Sequence, residues 1–485
     1  MTLILYYVFL FGFSSLIFKN AYDGWKLKGD FVLPICTLIL YYFTLGGALI
    51  FPIDWYSNYK GIDLGLHYLP IFDRLFEVEF NTDYILATLY YIVFILVFQY
   101  TYLYIIKKII SRAAIVKDDS SISFNLIINP YLVLTLVTSL IGISAYLFSA
   151  EIYYAIAHEK SIYLITRANT NKYYTIHQLA NEFCVLIPFI AYTFTIISST
   201  KIKVSAQRFA VPILLVACFI AALYITLLGN RREILSGIVL CVLICLNQFK
   251  YINTKRFGYI VLISLVLFLF NDFFRSTVIP RNLNKVFHLT ERDDLKLKEE
   301  ENFFTSNKYS KFEKSKQVVG SLVFSNELFY AHFSMYGVLH KHIPLTYGTS
   351  FINLAVSVIP RAIYPNRPQD IYSYYATSVK ATPGQNYTLH HATAWYLNFG
   401  VVGIVIGAIL LALLFSFAFY INNYPLLTLT STVVVFTSYL LPFLLCAQLV
   451  TFITAGPEAY KSMLIEGVVL PIFLLLLCSK KVSEA

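Results

Sequence analysis

Apolar stretches of about 20 residues recur along the whole chain, separated by polar segments. Each is long enough to cross the ~30 Å hydrocarbon layer of a bilayer as a helix. The pattern predicts about eleven membrane-spanning helices, over residues 2–18, 31–53, 84–106, 125–148, 181–199, 209–228, 233–249, 257–274, 393–420, 425–451 and 463–479. The first, Leu3 to Phe18, has no basic region before it and no small-residue cleavage site after it. It therefore reads as a membrane helix and not as a cleaved signal peptide.

Composition agrees with the pattern. Of 485 residues, 58% are hydrophobic and 13% charged, where a soluble protein has roughly 25% charged. The expected fold class is an all-α polytopic membrane protein with a large extracytoplasmic loop containing short interfacial or re-entrant helices. The seven cysteines lie in or beside apolar runs without a CxxC or Cys/His cluster, so neither a zinc site nor a disulfide framework is expected. No cofactor is implied.

Lys and Arg in short loops orient such a chain. One set of loops is rich in them: Lys19, Lys26 and Lys28; Lys107, Lys108, Arg112 and Lys117; Lys201, Lys203 and Arg208; Lys250, Lys255 and Arg256; Lys480 and Lys481. In the alternating set, residues 54–83 hold only Lys60 and Arg74 against Asp54, Asp63, Asp73, Glu77, Glu79 and Asp83. The basic set is therefore cytoplasmic, the N-terminus outside and the C-terminus inside. Three parts follow: 1–274 with the first eight helices, an outer segment 275–392, and 393–485 with the last three helices and the cytoplasmic end. The net charge of +10 is mostly this topogenic excess, and it points to no nucleic-acid partner.

The outer segment opens with a charge-rich stretch of mixed sign, a solvated helix or flexible segment by composition. From Val318 apolar residues recur with helical spacing, broken by His and Glu. Phe351 to Ile359 is too short to cross a membrane and suits a re-entrant or interfacial helix. Next comes SVIPRAIYPNRPQD, where Pro360, Pro365 and Pro368 surround Arg361 and Arg367. Proline excludes a regular helix, so this is rigid backbone carrying fixed positive charge. Non-helical backbone at membrane depth is tolerated where protein buries it or it lines a wet cavity.

Arg231 and Arg232 (in LLGNRREIL), Arg275, Arg281, Arg167, Arg361 and Arg367 all map to the outer interface. Snorkelling accounts for any one of them. It accounts less well for a set on the face where positive charge is scarce. Arginine's planar fork of donors matches phosphate oxygens, so the set points to a lipid-linked phosphate or pyrophosphate. All nine histidines fall on the same side, as most loop sequence does, and His390 and His391 stand directly before a span. Many of the 39 tyrosines also lie there. They form an aromatic belt or, at Tyr375 and Tyr387, a surface for sugar rings.

The stretch IPRAIYPNRP, followed by HHATAWYLNFGVVGIVIGAILLAL (His390 to Leu413), resembles the C-terminal half of the Wzy-type O-antigen polymerases. In that family a Pro/Arg stretch in a large outer loop precedes a "YLNFG..G" helix start, here Tyr396 to Gly400 and Gly403. GNRREIL is similar to the family's arginine at the opening of a middle span. The resemblance covers Leu228 to Leu413. Many members carry an acid just before "YLNFG"; here Thr393, Ala394 and Trp395 stand there.

The resemblance implies a glycosyltransferase of the bacterial inner membrane. It would pass a glycan from undecaprenyl pyrophosphate to a hydroxyl of the next lipid-linked repeat unit, on the periplasmic face. It implies no metal, since arginines can stabilise charge growing on the pyrophosphate. Arg361, with Arg231 or Arg232, Arg275 and Arg367, is expected at the pyrophosphate. His390 or His391, with Glu327 as runner-up, is expected as base. A chain-length-regulating co-polymerase is a possible partner. Two rivals share the chemistry: an O-antigen ligase, and a GT-C enzyme using polyprenyl monophosphate sugars, for which the pair of acids is absent. A flippase for lipid-linked oligosaccharide is a rival of another class. It would place charges deep in many spans, whereas here polar residues crowd one face.

Overall fold

The structure is a computed structural model that describes residues 2–27, 32–61, 75–113, 126–160, 162, 165–166, 173–201, 207–229, 237, 283–285, 326–356, 370–380, 389–423, 440–441, 443–445, 447–454, 456–457 and 460–481. Among them, six helices are long and apolar enough to cross a bilayer. The chain is a helical, multi-pass membrane protein. Of the eleven expected spans, 257–274 lies outside the described residues, as do 233–249 apart from Gly237 and most of 425–451.

The chain divides into two units. The first comprises Met1–Asp118, Phe304–Tyr424 and Gln448–Leu464. Its frame is three packed helices, α1 (Thr2–Lys26), α2 (Val32–Tyr59) and α3 (Thr82–Ala113). Buried polar side chains bind them together. Tyr6 donates to the Ala48 carbonyl and Tyr7 to that of Leu49. Gln99 Nε2 donates to the Ile17 carbonyl and to Thr37, while its Oε1 accepts from Asn20. Such bonds are worth on average about 0.6 kcal/mol each between helices in a membrane. They also fix register, because a slip would strand each polar group.

The second unit comprises Asp119–Phe303, Pro425–Ala447 and Ile465–Ala485. It contains β1 (Leu126–Ile128), α4 (Pro130–Leu147), α5 (Ser149–Ala157), α6 (Tyr174–Lys201) and α7 (Gln207–Leu228). α4 starts where Asn129 caps it from outside, accepting from Tyr131 and Leu132, with Pro130 at its first position; this is the favoured chemistry of a helix start. α4, α6 and α7 pack together around a closed polar cluster. Tyr224 donates to Ser144, Ser144 donates to Asn181 Oδ1, and His177 touches both Ser144 and Asn181. With Nδ1–H toward Ser144 and Nε2 accepting from Asn181, His177 satisfies both ring nitrogens, and its ring stacks on Phe148. It is a structural histidine.

Near the C-terminus a π-helical stretch (Ser462–Val469) leads into α13 (Leu470–Leu477) and β2 (Ser479–Lys481), the latter antiparallel to β1. This two-stranded pair is a small departure from the all-α expectation. It arises because chain segments at the start of α4 and the end of α13 meet with free backbone groups that each other's strands satisfy.

Candidate functional site

The first unit also holds shorter helices and one further span. α8 (Asn326–His340) lies antiparallel against α3: His340 meets Asp83, Tyr336 meets Asn81, His332 meets Thr88, and the Ala331 carbonyl meets Tyr91. Four further helices of the unit are found among the described residues: α9 (Thr349–Val356), α10 (Ile371–Ser378), α11 (His391–Asn423) and α12 (Leu449–Thr454).

α11 is not the straight helix that its hydropathy predicts. Phe399 (φ −140°) and Gly400 (φ 63°, ψ −146°) leave helical geometry, and the second of these conformations is open essentially to glycine alone. Before the break the chain runs antiparallel to α3, with His391 beside Phe94, Thr393 beside Tyr91 and Tyr396 beside Tyr90. After it Phe415 lies beside Phe98, so the chain has turned to run with α3. A Cβ on Gly403 would collide with the Trp395 carbonyl, and one on Gly407 with the Trp395 indole. In a straight helix residues 395 and 407 would stand about 18 Å apart. Residues 391–398 therefore form a short helix folded back on the span that follows. That span is still long enough, at about 1.5 Å per residue, to cross the bilayer. "YLNFG" is the reversal itself, not a helix start.

The fold-back sets His390 and His391 against α3. His390 precedes the short helix as its cap: its Nδ1 accepts from the Ala392 N–H, and its carbonyl accepts from Ala394. That bond uses the Nδ1 lone pair, so the proton of the neutral ring is on Nε2. Nε2 is buried and has no partner among the described residues. His391 is the opposite tautomer. Its Nε2 accepts from the Trp395 indole N–H at 3.0 Å, a group that can only donate, and lies 2.9 Å from the Tyr460 hydroxyl.

His332, fully buried, completes the cluster. Its Nε2 is 2.8 Å from Thr88 Oγ1, which also reaches Tyr6 Oη and the Tyr84 carbonyl. Tyr6 donates to Ala48, so a consistent chain has His332 Nε2–H donating to Thr88 and Thr88 donating onward. Nδ1 is then a bare lone pair, buried, with no partner among the described residues. Leaving a polar group so costs about 1–3 kcal/mol. Between the two histidines stands Tyr91, its ring 5.0 Å from that of His390 and 6.0 Å from that of His332. Its hydroxyl donates to the Ala331 carbonyl and accepts from Thr393. Burial pushes the His332 imidazole down to about 3. Burial, and then the neighbouring His391, hold His390 well below its usual range. Both are neutral.

In this arrangement neither His390 nor His391 presents an open lone pair. Each could act as a base only by releasing the donors it now holds. Glu327 is in the first turn of α8. Tyr375 is in the core of the unit, its hydroxyl donating to the Ser334 carbonyl at 3.1 Å. Arg231, Arg232, Arg275, Arg361, Arg367 and Tyr387 lie outside the described residues. Sequence reasoning passed over His332, Tyr91 and Asn398. The signal for the first was a histidine interrupting the helical spacing after Val318.

Asn398, last residue before the break, ties the corner to α9. Its Oδ1 accepts from Thr346 and Ser350, its Nδ2 donates to the Ala394 carbonyl, and the Thr346 N–H donates to the Leu397 carbonyl. Phe351 packs on Trp395 and Phe399. α10, on the far side of the Pro/Arg stretch, starts at the cap Asp370, which accepts from Ser373 N–H. Its Tyr372 accepts from Gly456 N–H, and Gly456 packs against Ala394. Both flanks of the Pro/Arg stretch are thus anchored at the short helix 391–398. Among the described residues no group of three His, Cys, Asp or Glu converges to hold a metal ion. No family model, curated protein or solved structure matches the chain.

Proposed function

We propose that this protein polymerises oligosaccharide repeat units carried on undecaprenyl pyrophosphate, transferring the growing glycan to a hydroxyl of the next unit at the outer face of a bacterial inner membrane. The observation that supports this reading is that the helices before and after the Pro/Arg stretch, α9 and α10, are both tied to the short helix 391–398, α9 through Asn398 and α10 through Gly456, which packs on Ala394.

The proposal includes eleven spans, with the N-terminus outside and the C-terminus in the cytoplasm. Arg361, with Arg367, Arg275 and one of Arg231 and Arg232, would take the pyrophosphate and stabilise the charge growing on it. The pyrophosphate is already a good leaving group, so the site need supply no acid. With both terminal-corner histidines engaged, Glu327 is the base we assign. The test is deletion of the gene followed by gel analysis of surface polysaccharide. Loss of a polymerase leaves lipid core bearing one repeat unit. Bare core with polymer retained on the carrier would identify a ligase instead, and an unchanged ladder would end both readings.

A further inference from the structure

The span that follows Gly400 carries a continuous apolar stripe on its exposed side. Val402, Ile406, Leu410, Leu413 and Phe417 recur at three- and four-residue spacing, and all are exposed. In a membrane-spanning helix such a stripe faces acyl chains. It does not stop where the span starts. Next come Phe399, exposed at the break, and then Tyr347 and Ile352, 81% and 58% exposed. The contacts here are direct: a Cβ on Gly348 would lie 3.1 Å from the Phe399 ring, and Phe351 stacks on the same ring. Counting back along the span from the Phe415–Phe98 contact to Gly400 arrives at Asp83, the acidic end of α3. Water is met at that end, since His340 pairs with Asp83 there and Lys341 and His342 are exposed just after it.

Two further features of this corner suit lipid and not water. α9 is turned with Ser350 inward, 1% exposed and donating to Asn398, while Ile352 and Ala355 share the exposed side. A helix lying on a protein in water would place the serine outside and the isoleucine inside. Tyr347 has φ 49°, in the left-handed region. That conformation is unfavourable for a bulky residue and persists where something else offsets it. Packing within the protein does not, because the ring points out. A tyrosine ring at the membrane–water boundary is favoured by its apolar body and polar tip.

We propose that α9 and the reversal at Phe399–Gly400 form one lipid-facing corner, with Ile352 and Phe399 among acyl chains and Tyr347 as its anchor at head-group level. The leaflet is the one at the acidic end of α3, the outer one by the charge rule. The sequence allows a re-entrant or an interfacial helix after residue 350; this corner makes α9 interfacial, its apolar side in the leaflet and its polar contact toward the protein. The placement is independent of the polymerase reading.

The test is electron paramagnetic resonance on the full-length protein in liposomes of phosphatidylethanolamine and phosphatidylglycerol. A nitroxide is attached to a single cysteine replacing Lys341, Ile352 or Leu413, the native cysteines having been replaced. All three side chains are exposed, so the label displaces no packed group. Oxygen, which concentrates among acyl chains, and a water-soluble nickel chelate then compete as collision partners. The Leu413 label is expected to favour oxygen and the Lys341 label nickel. The Ile352 label is expected to favour oxygen, at a shallower depth than Leu413. An Ile352 label that favours nickel would place α9 in water and overturn the proposal. One shielded from both reagents would show the corner covered by protein, a second copy of the chain included, and would overturn it as well. Tyr347→Gly relaxes the backbone and deletes the ring, so in that variant the Ile352 label is expected to shift toward nickel. An unmoved label would overturn the anchoring role of Tyr347.

Discussion

At the scale of single residues, the same side-chain type does different work according to its partners. His177 has both nitrogens satisfied and links α6 to α4 through Ser144. His391 is locked by Trp395 and Tyr460. His332 and His390 each keep one nitrogen unengaged among the described residues. This difference has a pH signature. The His332 ring is held at about 3, below the 6.5 it has when free, so an unfolded chain binds a proton that the folded chain refuses. The stability it contributes is present above pH 6.5 and is lost as pH falls from 6.5 toward 3; His390 shifts in the same direction. Thermal melts in detergent should therefore show the melting temperature falling on acidification below pH 6.5, with a shallower fall for His332→Phe. An identical slope in that variant would remove His332 as the cause. The arginine proposal is also decided at this scale. If the guanidinium fork recognises pyrophosphate, Arg361→Lys should fail as badly as Arg361→Ala in polymerisation of purified lipid-linked units, both being present at normal level in the membrane. Near-normal activity of the lysine form would reduce Arg361 to an interfacial anchor, which needs only a long stem and a charge.

At the scale of elements, the unexpected feature is the fold-back at Gly400. The expected spans 31–53, 84–106 and 209–228 were legible because a run of apolar residues has few other uses; the last two fall within helices of the structure, and the first matches Val32–Tyr59 from its second residue on. The reversal was not legible. A hydropathy window averages over one glycine, and the apolar run continues on both sides of it. Glycines 403 and 407 read as ordinary small residues of a span, whereas their role is to let the Trp395 carbonyl and indole approach. The tautomers were hidden for a related reason: the contacts around them join residues as far apart as Tyr91 and Thr393, 302 positions along the chain. Of the candidate site, the histidine pair was visible from sequence, but its engagement as cap and as indole acceptor was not. Two substitutions test the corner. Gly403→Ala must push a methyl into backbone that is itself held by the Asn398 bonds, and overpacking of this kind typically costs about 1–3 kcal/mol. Asn398→Ala leaves Ser350 without its acceptor and Thr346 with the Leu397 carbonyl alone and should cost a similar amount. Both are expected to lower the melting temperature and polymer output together. Full polymer output from a well-expressed Asn398→Ala variant would separate the corner from the activity.

At the scale of the whole molecule, sidedness is the property on which the functional reading depends. Within the second unit, β1 precedes α4 and β2 follows α13, and their pairing brings Leu126 opposite Lys481. The start of the fourth expected span and the end of the eleventh must therefore lie on one side of the membrane. By the charge rule that side is expected to be the cytoplasm, through Lys107, Lys108, Arg112 and Lys117 before β1 and Lys480 and Lys481 within β2. Within the first unit, α3 has Asp83 at one end and Lys107 and Lys108 at the other. The contacts of α8 and of the short helix 391–398 run along α3 between Asp83 and Phe94, on the acidic half. The histidine corner is thus on the acidic half of α3, which the charge rule predicts to be the outer half, the side on which the proposed substrate would be met. Apart from 283–285, the hydrophilic segment 282–317 lies outside the described residues, and its side is predicted by the same charge rule. A cysteine at Ser306, in a variant with the native cysteines replaced, should react with a membrane-impermeant maleimide in intact spheroplasts. Labelling only after permeabilisation would reverse the orientation of every span, move the Pro/Arg stretch to the cytoplasm, and leave the polymerase reading without its substrate.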